Sequence, residues 1–522
     1  MISLPSLLEI LPEASELRIE DVPVVSVTDH SARVQEGAVF VAVRGGSADG
    51  HDYLDEVMSK NPAAIIAQSK GPADYPGLWI QVPDTRVVLG RLAARFAGDP
   101  AAAMVTVGVT GTNGKTTVTH FIHSLFENSM IKAGMIGTIK IHDGKVLRDA
   151  THTTPGAVEL QSILRSMKDN GCKAVTMETS SHGLEQGRCS GIPFQVGVFL
   201  NLTQDHLDYH KTMAAYFGAK KILFDQMAAE GSSGVAVINI DDIAGQKLAA
   251  EFKGRLKVTT FGFSPAADFR ASDLRPSNRG QVFALEARGK SFLVRLPVVG
   301  RFNVMNALAA LAAVSSTGVP LRDLVKSIGD TRQTRGRMEL LGGERISVFI
   351  DYAHTPDALE KACETLYELH PNRLVTVFGC GGDRDRSKRP LMGAAAAKYS
   401  NVCIVTSDNP RSEDPEAIIA EIIPGLGKTP HEVIVNRRDA INAAIEASYP
   451  GDILLIAGKG HETYQEIKGQ RQHFDDREVA LRALETKRAV DAAEFLKRQE
   501  EREERDKKRG GDFGGDNDNY RE

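Results

Sequence analysis

Between residues 108 and 117 the chain reads Gly-Val-Thr-Gly-Thr-Asn-Gly-Lys-Thr-Thr, and no other stretch restricts its possible folds so tightly. The apolar run at 104–107 predicts a buried strand entering this loop, and residues 118–126 predict a helix leaving it. Strand, glycine loop and helix in that order let backbone N–H groups turn inward on phosphate oxygens. The strict form of such a loop has a glycine where Val109 stands, whereas here the glycines are Gly108, Gly111 and Gly114. The physical requirement survives this change. Gly111 and Gly114 free the backbone to curl around Thr112 and Asn113; Lys115 then reaches the terminal phosphates of ATP, and the hydroxyl of Thr116 or Thr117 meets Mg²⁺. A glycine turn that merely precedes Lys-Thr-Thr is the ordinary alternative, and the flanking strand and helix weigh against it. The loop alone does not separate kinase, motor and ligase.

A chain of 522 residues suggests about three domains. Short β-branched runs at 174–177, 196–200 and 235–238 predict strands covered on both faces. A second series of strands is predicted at 348–350, 374–378, 402–405 and 453–456, with helical stretches such as 358–369 and 417–423 between them. Each runs into a polar or glycine-rich loop, at 351–354, 379–384, 407–411 and 458–462. Four such loops gather at the carboxyl edge of one parallel sheet, where folds of this kind bind ligands. Before the phosphate loop, residues 39–43 predict a strand that enters the glycine-rich turn 45–50. From about Gln499 the sequence becomes charge runs and glycines, which cannot bury a core and predict a disordered tail.

Net charge is −5 with both signs interspersed, so no basic surface points to nucleic acid or an anionic membrane. The five cysteines are widely spaced and form no CxxC pair, which supports neither a disulfide framework nor a cysteine zinc site. The N-terminus lacks a signal-peptide pattern, and no apolar run is long enough to span a bilayer. A cytoplasmic protein without a membrane partner is expected.

Two further motifs follow predicted strands, 177–184 (Met-Glu-Thr-Ser-Ser-His-Gly-Leu) and 201–210 (Asn-Leu-Thr-Gln-Asp-His-Leu-Asp-Tyr-His). Glu178 and His206 are expected at the ends of neighbouring strands, an oxygen/nitrogen pair suited to a divalent ion beside the phosphates. On spacing alone, His206 and His210 fit ordinary loop histidines equally well.

The ordered set GTNGKTT, METSSHGL, NLTQDHLDYH, GRFNVMN, GRME, DYAHTPDALE, FGCGGDRDRSKRPLMG, DNPR and AGKGHE resembles the Mur ligases. These are ATP-dependent, amide-forming enzymes of peptidoglycan precursor synthesis, and the likeness spans nearly the whole chain up to the tail. It implies an α/β protein of three domains: a small N-terminal UDP-sugar-binding domain (1–90), a central parallel-sheet domain of P-loop ATPase type (91–336) and a C-terminal Rossmann-like domain (337–494). The tail is then 495–522. The resemblance implies that Lys115 and Thr116 hold the ATP phosphates and Mg²⁺, with Glu178 and His206 as ligands of a second magnesium. Lys220 matches a family lysine modified to a carbamate, which turns a cation into an anion able to bind that metal; Lys221 beside it leaves the register open. Asn303, Asn306, Arg337 and Asp351 match nucleotide-contacting positions, and Arg337 and Asp351 are expected to close over ATP. Ser31, Gly46, Ser47, Ala48, Thr153, Thr154, Ser180, Gln186 and Arg188 match positions that hold a UDP-N-acetylmuramoyl-dipeptide. The N-terminal motif usually reads Asp-Ser-Arg, and here the stretch is Asp29-His30-Ser31-Ala32-Arg33.

The same resemblance extends to the amino acid added as third residue of the stem peptide. Family members carrying DNPR (Asp408, Asn409, Pro410 and Arg411) generally take meso-diaminopimelate. A guanidinium at Arg411 grips that substrate's second carboxylate and repels the terminal ammonium of lysine. Arg384, Gly458 and Glu462 match the other positions around this substrate, with Glu462 suited to an ammonium group. The family reaction passes the γ-phosphoryl of ATP to a carboxylate, and an amine then attacks the acyl phosphate. No cysteine need act as nucleophile. The expected partners are small molecules, with the chain a monomer. Competing readings are the same ligase using L-lysine, a folylpolyglutamate-synthetase-like ligase, a scaffold that has lost the reaction, and a P-loop kinase or motor.

Overall fold

Val105–Thr110 is built of alternating valine with threonine and glycine, all but the first residue buried, as a strand inside a parallel sheet requires. It is the fifth strand of the chain. The computed structural model describes residues 2–46, 48–229, 234–331, 333–342 and 345–510, with 506–510 described by backbone alone.

Ahead of it come β1 (Ser26–Thr28), β2 (Ala38–Val41), β3 (Ala64–Ala67) and β4 (Trp79–Gln81), which form a parallel four-stranded sheet in chain order. Side chains of β2 alternate between two cores. Val39 and Val41 pack with Leu4, Leu7, Ile66 and Leu92, and Ala38 and Phe40 pack with Val57 and Ile65. The helix Thr85–Phe96 covers one face with Val88, Leu89 and Leu92, and starts at an Asp84 cap that accepts from the N–H groups of Arg86 and Val87. Residue 90 lies within this helix.

The larger sheet contains β5 (Val105–Thr110), β6 (Ala133–Ile136), β7 (Lys140–His142), β8 (Leu147–Asp149), β9 (Ala174–Glu178), β10 (Val196–Phe199), β11 (Val235–Asn239), β12 (Lys257–Gly262), β13 (Phe269–Ser277), β14 (Gly280–Ala287) and β15 (Lys290–Leu296). Their spatial order is β15-β14-β13-β12-β11-β10-β5-β9-β6-β7-β8. β5 therefore lies between β9 and β10, parallel to both. The sequence reading put Glu178 and His206 at the ends of neighbouring strands, and the structure corrects this. Glu178 ends β9, His206 follows β10, and the phosphate-loop strand separates them.

These two sheets belong to one unit, residues 1–276, 280–297 and 301–332. The second unit, residues 277–279, 298–300 and 333–522, is built on β16 (Glu339–Gly342), β17 (Ser347–Asp351), β18 (Leu374–Phe378), β19 (Val402–Val405), β20 (His431–Val433) and β21 (Ile453–Ala457). The order is β16-β17-β21-β18-β19-β20, with only the edge strand β16 antiparallel. The four polar loops after β17, β18, β19 and β21 thus emerge at one carboxyl edge. A hairpin of β22 (Tyr464–Ile467) and β23 (Gln470–His473) follows.

The last helix, Asp476–Gly510, runs through the start of the segment expected to be disordered. From residue 492 to 505 it is exposed. Its Glu, Lys and Arg residues are strong helix formers, and pairs such as Glu494–Arg498 one turn apart add local support without a core. The tail beyond Gly510 lies outside the described residues.

Candidate active site

The turn after β5 requires glycine at one position above all. Gly114 has φ +92°, and a Cβ there would lie 2.5 Å from Asn306 Oδ1. Asn306 and Asn303 face each other on the helix Arg301–Ser316, with Asn306 Nδ2 donating to Asn303 Oδ1 at 3.0 Å. Gly108 is packed inside β5, where a Cβ would meet the Phe194 ring at 2.9 Å. The loop is also tied from β10's side. Asn201 Oδ1 accepts from the N–H groups of Thr112 (3.1 Å) and Asn113 (2.8 Å), and Asn201 Nδ2 donates to Asn113 O (3.1 Å). Asn201 opens a motif visible in the sequence, yet its clamp on the loop was not.

Two lysines converge on one carbonyl. Lys115 Nζ donates to Gly111 O (3.0 Å) and Thr112 O (2.9 Å), and Lys220 Nζ donates to Gly111 O (2.8 Å). Lys220 is 1% exposed and sits 4.2 Å from the centroid of the Tyr216 ring. Burial, then the charge of Lys115, holds its ammonium well below the ordinary lysine value. Lys221, one residue on, points outward to Asp225 (2.9 Å) and Glu251 (2.7 Å). Of the two adjacent lysines, Lys220 is the interior one.

Glu178 is 1% exposed and accepts from Thr116 Oγ1 (3.2 Å), Thr138 N (2.8 Å) and Thr138 Oγ1 (3.0 Å). Thr138 was missed by sequence reasoning, because it follows β6 with no motif around it. Its hydroxyl reaches Thr153 Oγ1 at 3.0 Å. From there the network continues. Thr154 Oγ1 donates to the Glu178 carbonyl (2.9 Å) and meets Ser180 Oγ (3.0 Å), and Arg188 Nη1 donates to Thr154 O (2.7 Å). Arg188 also grips Gln186 Oε1 through Nε (3.0 Å) and Nη2 (2.6 Å), and burial lowers its pKa. Five residues expected to hold one substrate are thus linked to each other and to Glu178.

His206 has φ +54°, with Nε2 at 3.5 Å from Asp205 Oδ2, and burial lowers its pKa. It belongs to an aromatic cluster not foreseen. The His182 ring lies 4.9 Å from His206, 4.2 Å from Tyr209 and 5.2 Å from His210. Burial and the two neighbouring histidines push His182 down to about 4, so it is neutral at pH 7. His210 is buried, with Nε2 on Ser181 Oγ (2.9 Å) and Nδ1 near Glu185 (3.1 Å). Among the described residues no group of three or more His, Cys, Asp or Glu side chains converges as a metal cage. Mg²⁺ needs no such cage, since it keeps waters and takes one or two carboxylates plus substrate phosphates. Thr116 paired with the buried Glu178 carboxylate fits that requirement.

In the N-terminal sheet, Ser31 begins the turn 31–33 and its carbonyl accepts from Lys60 Nζ (2.8 Å). Gly46 and Ala48 lie in the turn after β2, closed by Gly45 N–H to Ala48 O (2.9 Å); Ser47 lies outside the described residues. No hydrogen bond or ion pair among the described residues joins this turn to Thr153–Arg188.

In the second unit, Asp351 ends β17 and accepts from the N–H groups of Met338 (2.7 Å) and Ala353 (2.9 Å). Burial raises its pKa against the opposing pull of Arg337, whose guanidinium lies 4.7 Å from the Tyr352 ring centroid. In the loop after β19, Asp408, Asn409 and Pro410 are buried and Arg411 is half-buried. Arg411 has φ +51°, and its Nη1 donates to Gly382 O (2.6 Å). Gly458, at φ +115°, passes so close that a Cβ would lie 2.5 Å from Asp408 Oδ2. Asn409 Nδ2 donates to Glu462 Oε2 (2.9 Å), while Lys459 Nζ, fully buried, donates to Asn409 Oδ1 (3.0 Å) and Glu462 Oε2 (3.2 Å). Lys459 was visible inside AGKGHE but not singled out. Arg384 is exposed and donates to Asp383 O at 3.2 Å.

All five cysteines are buried and unpaired, and burial pushes the thiols of Cys189, Cys363, Cys380 and Cys403 up to about 12. Such thiols are not nucleophiles at neutral pH.

Residues 109–314 match the family model of the Mur ligase middle domain, and 336–460 match the Mur ligase glutamate ligase domain. A UDP-N-acetylmuramoyl-L-alanyl-D-glutamate–2,6-diaminopimelate ligase of Syntrophomonas wolfei is 41% identical over 461 residues, covering 88% of this chain and 94% of that one. A solved structure of a ligase with the same name shares 35% identity at a TM-score of 0.70, covering 93% of this chain and 100% of that one. The MurF ligase of Thermotoga maritima in complex with ADP is 21% identical with a TM-score of 0.58, over 88% of this chain and 97% of that one; this likeness concerns the fold.

Proposed function

Because the chain belongs to the Mur ligase family, we propose that it joins meso-2,6-diaminopimelate to UDP-N-acetylmuramoyl-L-alanyl-D-glutamate at the expense of ATP, in peptidoglycan precursor synthesis. The observation that carries this reading is the position of Glu178. Its carboxylate takes Thr116 of the phosphate loop and Thr138, and its carbonyl takes Thr154, so one residue bridges the nucleotide side and the acceptor side.

In this reading the loop N–H groups and Lys115 hold the ATP phosphates, while Lys220 lies against the same Gly111 carbonyl as Lys115. Thr116, Glu178 and His206 are the residues that would hold Mg²⁺, which would supply charge neutralisation for the transfer. Arg188, Gln186, Thr154 and Ser180 orient the dipeptide so that its glutamyl carboxylate oxygen attacks the γ-phosphorus and ADP leaves. The incoming amine then forms the C–N bond, and phosphate leaves with the electron pair of the broken C–O bond. Burial lowers the pKa of Lys220 and so favours the neutral amine, the form that reacts with CO₂ to a carbamate. In the second unit, Arg337 and Asp351 serve the nucleotide, Arg411 and Arg384 take the second carboxylate of diaminopimelate, and Asp408, Asn409 and Glu462 its ammonium group. The small-molecule partners imply no nucleic acid or membrane. No helix among the described residues is long and apolar enough to cross a membrane, and the reading assigns the cytoplasm and a monomer.

The test is phosphate release and product formation from ATP, Mg²⁺ and UDP-N-acetylmuramoyl-L-Ala-D-Glu, with either meso-diaminopimelate or L-lysine. Product with diaminopimelate alone is expected. Phosphate release indifferent to the amino acid would remove the ligase reading, and a preference for lysine would remove the specificity.

A further inference from the structure

Tyr209 lies half-buried in the short helix Leu207–His210. Its hydroxyl oxygen is 3.2 Å from Gln186 Nε2. The direction of that hydrogen bond follows from Arg188. A guanidinium carries only donors, so the Gln186 oxygen must face Arg188, which it does at 3.0 and 2.6 Å. The Gln186 amide nitrogen then points at Tyr209 and donates, and Tyr209 oxygen accepts. The phenolic hydrogen is left over, and it has no acceptor among the described residues. The ring packs against the His182 imidazole at 4.2 Å between centroids and against His210 at 4.8 Å, contacts that hold it in place. Arg188, meanwhile, places donors on Gln186 Oε1 and Thr154 O and so shares the work of holding an anion rather than doing it alone.

We propose that Tyr209 touches the substrate, its O–H donating to a carboxylate oxygen at the D-glutamyl end of the dipeptide beside Gln186 and Arg188. The inference rests on the ligase reading above. A hydroxyl fixed by a donor on its oxygen has one direction left for its hydrogen, and a carboxylate is the acceptor that gains most from it. If the oxygen belongs to the carboxylate that becomes phosphorylated, the bond acts on kcat; if it belongs to the other carboxylate, it acts on KM for the UDP-dipeptide.

Tyr209→Phe keeps the ring on His182 and removes only the hydroxyl. Its kcat/KM for the UDP-dipeptide is expected to fall about 10- to 100-fold, the loss of one hydrogen bond to a charged group, with KM for ATP and for diaminopimelate unchanged. The same substitution made in a Gln186→Met background separates contact from support. A direct donor still costs most of that factor there, whereas a residue that acts only by holding Gln186 costs nothing further, which would overturn the proposal. A loss below about twofold in the single variant would also overturn it, being within the scatter of a surface substitution. Absence of product from the unaltered protein overturns the ligase reading and this inference together; product from it with an indifferent Tyr209→Phe overturns the inference alone.

Discussion

The phosphate loop after β5 and the Asp408–Arg411 loop after β19 both crown the carboxyl edge of a parallel sheet, yet they hold charge in opposite ways. At the first, Lys115 and Lys220 share the Gly111 carbonyl, and Lys220 makes no ion pair among the described residues. At the second, the buried Lys459 is matched to Glu462 and Asn409, and the buried Arg437 to Asp476 at 2.7 Å. A buried lysine that leans on a carbonyl is held toward its neutral form until an anion comes close. A site with balanced charges instead selects by where each charge sits, which suits a zwitterion carrying two carboxylates and two amines. The difference assigns activation to the first loop and choice of amine to the second.

The sharpest way to break this contrast is Lys220→Ala beside Lys221→Ala. Loss of about 1000-fold or more in kcat is expected for the first, since it removes a group at the charge-transfer centre, and less than about twofold for the second. Added acetate should restore part of the Lys220→Ala rate if a carbamate is what the lysine supplies. Equal effects at the two positions would mean that burial of Lys220 is structural. Next in size is Glu178→Gln, which keeps the shape but removes the negative charge that Thr116 and Thr138 donate to. A drop of about 100- to 1000-fold in kcat, with a raised Mg²⁺ requirement, is expected. An unchanged Mg²⁺ requirement would take Glu178 out of metal binding.

How much of this was legible in the sequence depends on how local the cause is. The phosphate loop and the four polar loops were readable because glycine spacing and apolar runs act over a few residues. The place of β5 between β9 and β10 was not, since strand order is set by crossovers that leave no mark in either strand. Lys220 and Lys221 are adjacent and differ by about 100° around their helix, so only the packing of Tyr216, Leu223 and Phe224 tells which one is inside. Thr138 reaches Glu178 across forty residues of chain, with no motif to announce it. The reach of the last helix to Gly510 was not legible, because charge-rich composition excludes a core but does not exclude a helix.

Selectivity should respond less than activation does. Arg411 is held by its backbone, with its N–H on Glu466 O (3.0 Å) and its carbonyl accepting from Lys468 N (2.6 Å), so the side chain can be removed without moving the loop. Arg411→Ala is expected to lower kcat/KM for diaminopimelate about 10- to 100-fold while KM for ATP stays the same, as loss of a charge-assisted contact implies. A matching loss of ATP affinity would show that Arg411 supports the fold, and the division of labour between the two loops would fall.

The smallest effects read the charge contrast directly, through stability rather than rate. Lys459→Met strands Glu462 and Asn409, and should destabilise by about 1–3 kcal/mol. Lys220→Met strands no anion and relieves a buried amine, and in CO₂-free buffer should raise Tm by about 2 °C at pH 7. The pH dependence has a definite sign. In the unfolded chain Lys220 keeps its proton up to the ordinary lysine value, and in the fold it loses it well below that. Between those two values the unfolded state binds more protons, so the stability of the lysine form rises with pH. The advantage of Lys220→Met should therefore shrink as the buffer moves from pH 7 toward pH 10 (about the ordinary lysine value). Melting curves at three pH values test this. An advantage that grows with pH, or a destabilised Lys220→Met, would mean that the lysine is already paired in the fold, and the two loops would then hold charge in the same way.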